Sequence, residues 1–335
     1  MRYTIKDIAS KTHVSISTVS KCLNGYGEVS ENTKKQVFDT IKELDYVPNT
    51  FARYMSTHST KIIGLTVPDV RDPYFAQSTL GIEERLQKSG YQLFLANLNR
   101  NSKKLLEFIQ KAREMRFDGF IFTTDSWSED VTAVLKRMDI PLLSLRRRPP
   151  ESLHIPYIDS DHYQGAMELM GYLYRKGHRK IGHVVLPSET GALRLQGYRN
   201  FCENYRLEDR SVQVDIPAHI LSDSVRNGHQ ATKEIFSRWP DTTAVFAASD
   251  FLAIGSMEFF YERHLEIPTD ISLVGIGNME YAQLPWFNFT TMELHRYEMG
   301  VQAAEMLLKM IDGEKVQNVL FPEEFIERKS VSKLA

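Results

Sequence analysis

Cysteine is almost missing from this chain: 335 residues contain two, Cys22 and Cys202. That excludes a disulfide framework and fits a reducing compartment. No apolar run reaches the roughly 20 residues that a bilayer span needs. Met1-Arg2-Tyr3 leads straight into a polar segment rather than a leader. The expected location is therefore the cytoplasm, with no membrane contact. No long-period repeat and no low-complexity segment occurs.

Catalytic signatures are equally scarce. Gly275-Ile276-Gly277 follows an apolar run, but Glu280 stands where a dinucleotide fingerprint needs its third glycine. There is no phosphate-cradling Gly-Lys-Ser/Thr loop and no Gly-x-Ser-x-Gly elbow. His178 and His183 are separated by Arg-Lys-Ile-Gly, with no cysteine nearby, which is not a metal-ligand spacing. The expectation is a protein with no catalytic residues, no metal and no cofactor.

What is present begins at the N-terminus. Thr4-Ile5-Lys6-Asp7 is a helix-start signal, because a Thr hydroxyl can serve free N–H groups while Asp reaches back. Ile5, Ile8 and Ala9 then recur at helical spacing, and the helix should stop near Thr12-His13. Ser15 opens a second helix that buries Val19, Cys22 and Leu23 and leaves Ile16, Ser17 and Lys21 outward, with Asn24-Gly25 ending it. Ser30 caps a third, with Val37, Ile41 and Leu44 inward. Two short helices, a tight turn and a buttressing third describe a helix-turn-helix, whose second helix would enter the DNA major groove. Residues 1–60 carry eight Lys/Arg against six Asp/Glu, while the remainder carries 33 against 37. That mild basic bias at the head is compatible with phosphate contact.

Asp7-Ile8-Ala9, Val14-Ser15, Thr18-Val19-Ser20, Leu23-Asn24, Val29-Ser30, Thr33 and Tyr46-Val47-Pro48-Asn49 resemble the head of the lactose-repressor/galactose-repressor family. The resemblance runs through the whole chain. It implies a DNA-binding head over 1–46, a hinge helix and linker over 47–60, and an effector-binding and dimerisation domain over 61–335. It also implies operator contacts from Thr4, Ser15, Ile16, Ser17, Thr18, Lys21 and Asn24, and from the hinge residues Asn49, Ala52, Arg53 and Met55. Met55, where the family usually has Leu, would wedge into the minor groove at a central base step.

Beyond Thr60, strand-like apolar runs alternate with helix-like segments in two series. One has strands at Lys61–Pro68, Tyr91–Ala96, Gly119–Phe122 and Pro141–Leu145; the other at Ile181–Val185, Ala244–Ala247 and Ile271–Ile276. Such alternation means parallel sheets with covered faces, and two series mean two lobes with a cleft. The expected fold class is thus an all-α helix-turn-helix head with hinge helix, then a two-lobed α/β domain of periplasmic-binding-protein type. By resemblance the chain crosses between lobes near Asp159, Phe289 and Leu320, giving one lobe of about 61–159 and 289–319 and another of about 160–288 and 320–330.

Strand ends should carry the pocket. Tyr74 and Phe75 follow the first strand, where the resemblance implies an aromatic against the ligand; Asp161 follows the first crossing. Thr190 to Arg194 precede a helix, and by resemblance Arg194 holds the effector; Ser249-Asp250 ends a strand. Two departures from the family pattern stand out. A carboxylate common after Ser272–Ile276 is replaced at Gly277, and an Asp common after Leu145 is replaced by Arg146, followed by Arg147 and Arg148. One negative charge is lost and one positive charge gained. The reading is a homodimeric transcriptional repressor binding pseudo-palindromic double-stranded operator DNA, nucleoid-associated when bound, with an anionic effector such as a sugar acid or phosphorylated sugar. A protein corepressor and a solute-binding protein are the alternatives.

Overall fold

A computed structural model of the chain describes residues 3–24, 27–46, 59–124, 127–214 and 221–334. The head holds α1 (Ile5–Thr12), α2 (Ile16–Asn24) and α3 (Glu31–Glu43). The Asp7 carboxylate accepts from the backbone N–H and hydroxyl of Thr4, at 2.7 and 2.8 Å, and so organises the first turn of α1. The helix ends at His13, which turns left-handed at φ 54°. Ser15 Oγ accepts from the Thr18 N–H at 3.0 Å, and Ser30 Oγ from that of Thr33 at 3.2 Å, which starts α2 and α3. Ile8, Ala9, Val19, Cys22 and Val37 are buried together between the three helices. The hinge reading falls on residues outside those described, as do its residues Asn49, Ala52, Arg53 and Met55.

From Lys61 onward the chain forms a second compact unit. Its first lobe holds β1 (Ile62–Val67), α4 (Pro73–Lys88), β2 (Gln92–Asn97), α5 (Ser102–Glu114), β3 (Gly119–Phe122), α6 (Glu129–Leu135), β4 (Leu142–Leu145) and β5 (Tyr157–Ser160). The second lobe follows with α7 (His162–Arg175), β6 (Ile181–Val185), α8 (Glu189–Tyr205), β7 (Arg210–Gln213), α9 (Leu221–Arg238), β8 (Ala244–Ala247), α10 (Asp250–Glu262), β9 (Ser272–Val274) and β10 (Thr291–Glu293). The chain then returns through α11 (Arg296–Ile311) and β11 (Val319–Phe321) and ends with β12 (Glu324–Ile326). Six parallel strands in the order β11-β5-β4-β3-β1-β2 make the first sheet, and four parallel strands, β7-β6-β8-β9, the second. β10 and β12 pair antiparallel.

Strand β3 shows why the central strands read as unbroken apolar runs. Ile121 packs into a core that includes side chains of α4 and α11, whereas Phe120 and Phe122 pack into one that includes side chains of α5 and α6. A strand covered on both faces needs apolar residues at every position rather than at alternate ones. β8 repeats this, with Val245 and Ala247 in one core and Ala244 and Phe246 in another. α4 and α11 cross at backbone contact: a Cβ on Gly81 would collide with the Tyr297 carbonyl, and one on Gly300 with the Ser78 carbonyl.

Two crossings move from their expected places. Phe289 is fully buried in the second lobe's core, and Met292 and Leu294 join that lobe too, so the return falls at His295, just before α11. Leu320 lies within β11, paired with Asp159 of β5, so the last crossing falls between Phe321 and Glu324. The shift has one cause: a crossing cannot sit inside a segment whose side chains or backbone bonds are already committed to one lobe.

Candidate functional site

In the head, Ile16, Ser17 and Lys21 are exposed on α2, as their spacing requires if Val19 and Cys22 are to be buried. Thr18 and Ser15 share a hydroxyl–hydroxyl bond of 2.8 Å, so both are occupied in starting the helix. Thr4 is similarly engaged by Asp7. Asn24 is the last residue of α2.

Between the lobes of the second unit lies a cavity of ≈ 150 Å³. Of the expected residues, Tyr74, Arg146, Arg194, Ser249 and Gly277 line it. Phe75, Asp161 and Thr190 do not. Phe75 is buried in the first lobe's core and meets Tyr74 edge to face, with ring centroids 5.2 Å apart. Asp161 instead caps α7, accepting from the Gln164 N–H at 3.1 Å. Thr190 is buried within the first turn of α8, two residues beyond the lining Ser188; its neighbour Glu189 pairs with the lining Arg147.

The lining contains five arginines, Arg100, Arg146, Arg147, Arg194 and Arg296, against the carboxylates of Asp72 and Asp250. Arg146 follows β4 in a left-handed conformation, φ 69°, and its guanidinium carbon lies 4.0 Å from the Tyr74 ring centroid. That stacking fixes the group while leaving its hydrogen-bonding edge available. Arg147 reaches across to Glu189 at 3.7 Å, and Arg148 donates to Asp159 at 3.2 Å. The three consecutive arginines are therefore not a solvated run. Arg194 is 4% exposed and its charge is disfavoured by burial. It donates to the Ala248 carbonyl at 2.5 Å and lies 3.7 Å from Glu323. Arg296 donates to the Asn278 carbonyl at 3.3 Å and sits 4.0 Å from Glu293. The buried Nε atoms of Arg146, Arg194 and Arg296 have no hydrogen-bond partner. Native proteins rarely leave such donors unmet, because each forfeits its hydration.

Asp250 opens α10 and accepts from the Met279 N–H at 2.8 Å and the Thr291 hydroxyl at 2.7 Å. Burial nevertheless pushes its carboxyl up to about 6. Gly277, at φ 138°, leaves room here: a Cβ would lie 3.3 Å from Asp250 Oδ2. The unfolded carboxyl ionises near its ordinary 3.8. Between that value and about 6 the folded chain holds the proton more tightly, so this group's contribution to stability declines as pH rises through that window. Asp250→Asn is expected to flatten the fall in unfolding midpoint between about pH 4 and pH 7, measured by urea titration; an unchanged slope would count against it.

Asp250, next to Ser249 at the strand end, lines the cavity as well; His162 and Arg296 also line it and carry no local signal in the sequence, although His162 adjoins Asp161. A second interlobe cavity, lined by Glu280, Glu293, Glu298 and Glu324 among others, shares Met279 and Arg296 with the first. Among the described residues no helix is long and apolar enough to cross a membrane, and no group of three metal-ligating side chains occurs.

A helix-turn-helix unit followed by a two-lobed α/β unit with an interlobe cavity defines a class, the two-lobed DNA-binding regulators. The sequence comparisons are specific. Residues 4–49 match the model for bacterial regulatory proteins of the lacI family, and residues 60–329 match that for periplasmic binding proteins and the sugar binding domain of the LacI family. The chain belongs to the LacI family and is a transcriptional regulator. It is 30% identical over 335 residues to the transcriptional repressor PurR of Escherichia coli O139:H28, covering 98% of this chain and 97% of that one. It is 28% identical over 334 residues to the transcriptional regulator RegA of Clostridium saccharobutylicum, covering 98% and 99%. The lac repressor dimer bound to operator and the anti-inducer ONPF shares the fold, at 24% identity and a TM-score of 0.87, covering 99% of this chain and all of that one.

Proposed function

We propose that this regulator is a homodimeric, operator-binding repressor whose DNA affinity is set by an anionic small molecule, a sugar acid or phosphorylated sugar, held between the lobes. The observation that carries this is the set of three buried Nε atoms, on Arg146, Arg194 and Arg296, without partners in one cavity. A guanidinium presents a planar fork matched to carboxylate or phosphate, and such bonds strengthen where water is excluded. The likeness to a sugar-binding domain supports a sugar framework for the acid. Control requires that the effector bind one conformational state more tightly than the other, whichever sign that takes.

Calorimetry on the full-length protein with glucose, gluconate and glucose 6-phosphate tests it. Arg146→Ala is expected to weaken the acidic ligands by roughly ten- to a hundredfold, the equivalent of one charge-assisted hydrogen bond, and to leave glucose unaffected. Tight binding of glucose, indifferent to the substitution, would defeat the proposal.

On the DNA side, the proposed base-edge contacts are Ile16, Ser17 and Lys21, with Lys21 donating to guanine and Ile16 against a thymine methyl. Lys21→Ala should weaken operator binding and relax preference at one base pair per half-site. An equal loss for every sequence would reduce Lys21 to a phosphate contact. Met55 as the minor-groove wedge belongs to the same proposal.

A further inference from the structure

Arg194 is held by a buried cluster that spans two of the interlobe crossings. Glu323, on the segment between β11 and β12, has a fully buried side chain. Its Oε1 lies 2.7 Å from His162 Nδ1 and 3.7 Å from Arg194 Nη2, while its Oε2 has no hydrogen-bond partner. The carboxylate is seated against α7, where a Cβ on Gly165, one turn beyond His162, would collide with it. On its far side His162 Nε2 faces Asp159 Oδ1 at 3.3 Å, and Asp159 is itself paired with Arg148.

Each carboxylate of this cluster faces a guanidinium: Asp159 that of Arg148, and Glu323 that of Arg194. Yet the two pairs differ. Arg148 is within hydrogen-bond distance of its carboxylate, whereas Arg194 is beyond it: its Nη1 is engaged by Ala248, its Nη2 lies 3.3 Å from His162 Nδ1, and its Nε is unmet. Glu323 therefore offsets the charge of Arg194 without using up its donors.

We propose that Glu323 is the cavity's internal counter-ion: it holds Arg194 in the ligand-free protein and is displaced from that role by the acidic group of the effector. The inference rests on the anionic reading above. It makes the third interlobe crossing a competitor of the ligand. An acid that offers oxygens to Arg194 at hydrogen-bond distance takes over the guanidinium, and the Glu323 carboxylate is left to His162. Removing the charge of Glu323 leaves a buried guanidinium without a counter-ion, which raises the free energy of the ligand-free state. An arriving anion then regains what was lost, so it binds more tightly.

The test uses full-length wild type, E323Q and E323D, with inorganic phosphate and glucose 6-phosphate as anionic probes and glucose as the neutral one. E323Q is expected to melt at a lower temperature without ligand. It should bind the anions about tenfold more tightly than wild type, the scale of one charge-assisted bond, with its melting temperature restored by them. Glucose binding should not change. E323D keeps the charge but draws it back by one methylene, and should fall between the two, which decides the matter even where E323Q folds poorly. If E323Q weakens every ligand alike, or binds the anions no more tightly while wild type binds them, Glu323 is only structural and the counter-ion role is overturned with the anionic reading intact. If wild type binds neither anion, that reading fails and this proposal with it.

Discussion

Arg194→Met is expected to destabilise the protein by roughly 3–5 kcal/mol and to abolish binding of acidic effectors. Methionine approximates the length of the aliphatic stem, so little packing is lost. What changes is charge. Glu323 and the Ala248 carbonyl, both inside the protein, lose the cation that faces them. A buried carboxylate without a counter-charge costs far more than an exposed ion pair contributes. The double variant Arg194→Met/Glu323→Gln should recover a large part of the loss, because the unpaired charge is then gone. Urea midpoints for the two single variants and the double give the coupling. Additive losses would show that the two side chains act independently.

Gly300→Val is expected to cost at least about 3 kcal/mol, although valine is a better helix former than glycine by a few tenths. A Cβ at this position would meet the Ser78 carbonyl carbon at 2.9 Å and its Cα at 3.0 Å. Both are backbone atoms of α4, so no rotamer change can relieve the collision, and α11 must move away. That would open the core where Met299, Ala303 and Leu307 pack against the first sheet. Gly171→Ala is the control. There a Cβ would meet only the end of the Arg175 side chain at 3.3 Å and Phe201 at 3.7 Å, both on side chains. That variant should match or exceed wild type in thermal melting. Equal losses for the two would remove the close-approach argument.

The head was legible in the sequence because its signals are local. Ser15 and Ser30 lie next to the helices they start, Val19 and Cys22 stand at helical spacing on α2, and Val37, Ile41 and Leu44 do so along and just past α3. The central strands were legible because two covered faces demand unbroken apolar runs. β7 was not: Arg-Ser-Val-Gln lacks such a run, and Arg210 is buried only because Glu208 and Asp241 neutralise it. The cavity was half legible. Arg146 and Arg194 sit at recognisable strand and helix ends. Glu323 and His162 touch at 2.7 Å while standing 161 residues apart, and no periodicity reports such a pair. The arginine run misleads in another way, since three adjacent charges usually face water. Here the left-handed turn at Arg146 folds the run back, and the Arg147 carbonyl accepts from the Ser144 hydroxyl at 2.7 Å.

The order in which the lobes are threaded has a consequence for synthesis. Strands β6 to β9 are contiguous in the chain and lie between β5 and α11. The first sheet is begun before them and completed after them, since β11 pairs with β5 and α11 packs against α4. On the ribosome, where N-terminal parts emerge first, the four-stranded sheet can close while β5 still has an open outer edge and α4 has nothing against Gly81. For that interval the nascent chain displays a parallel strand with one unpaired edge and an uncovered apolar helix face, the surfaces on which chaperones and misassembly compete.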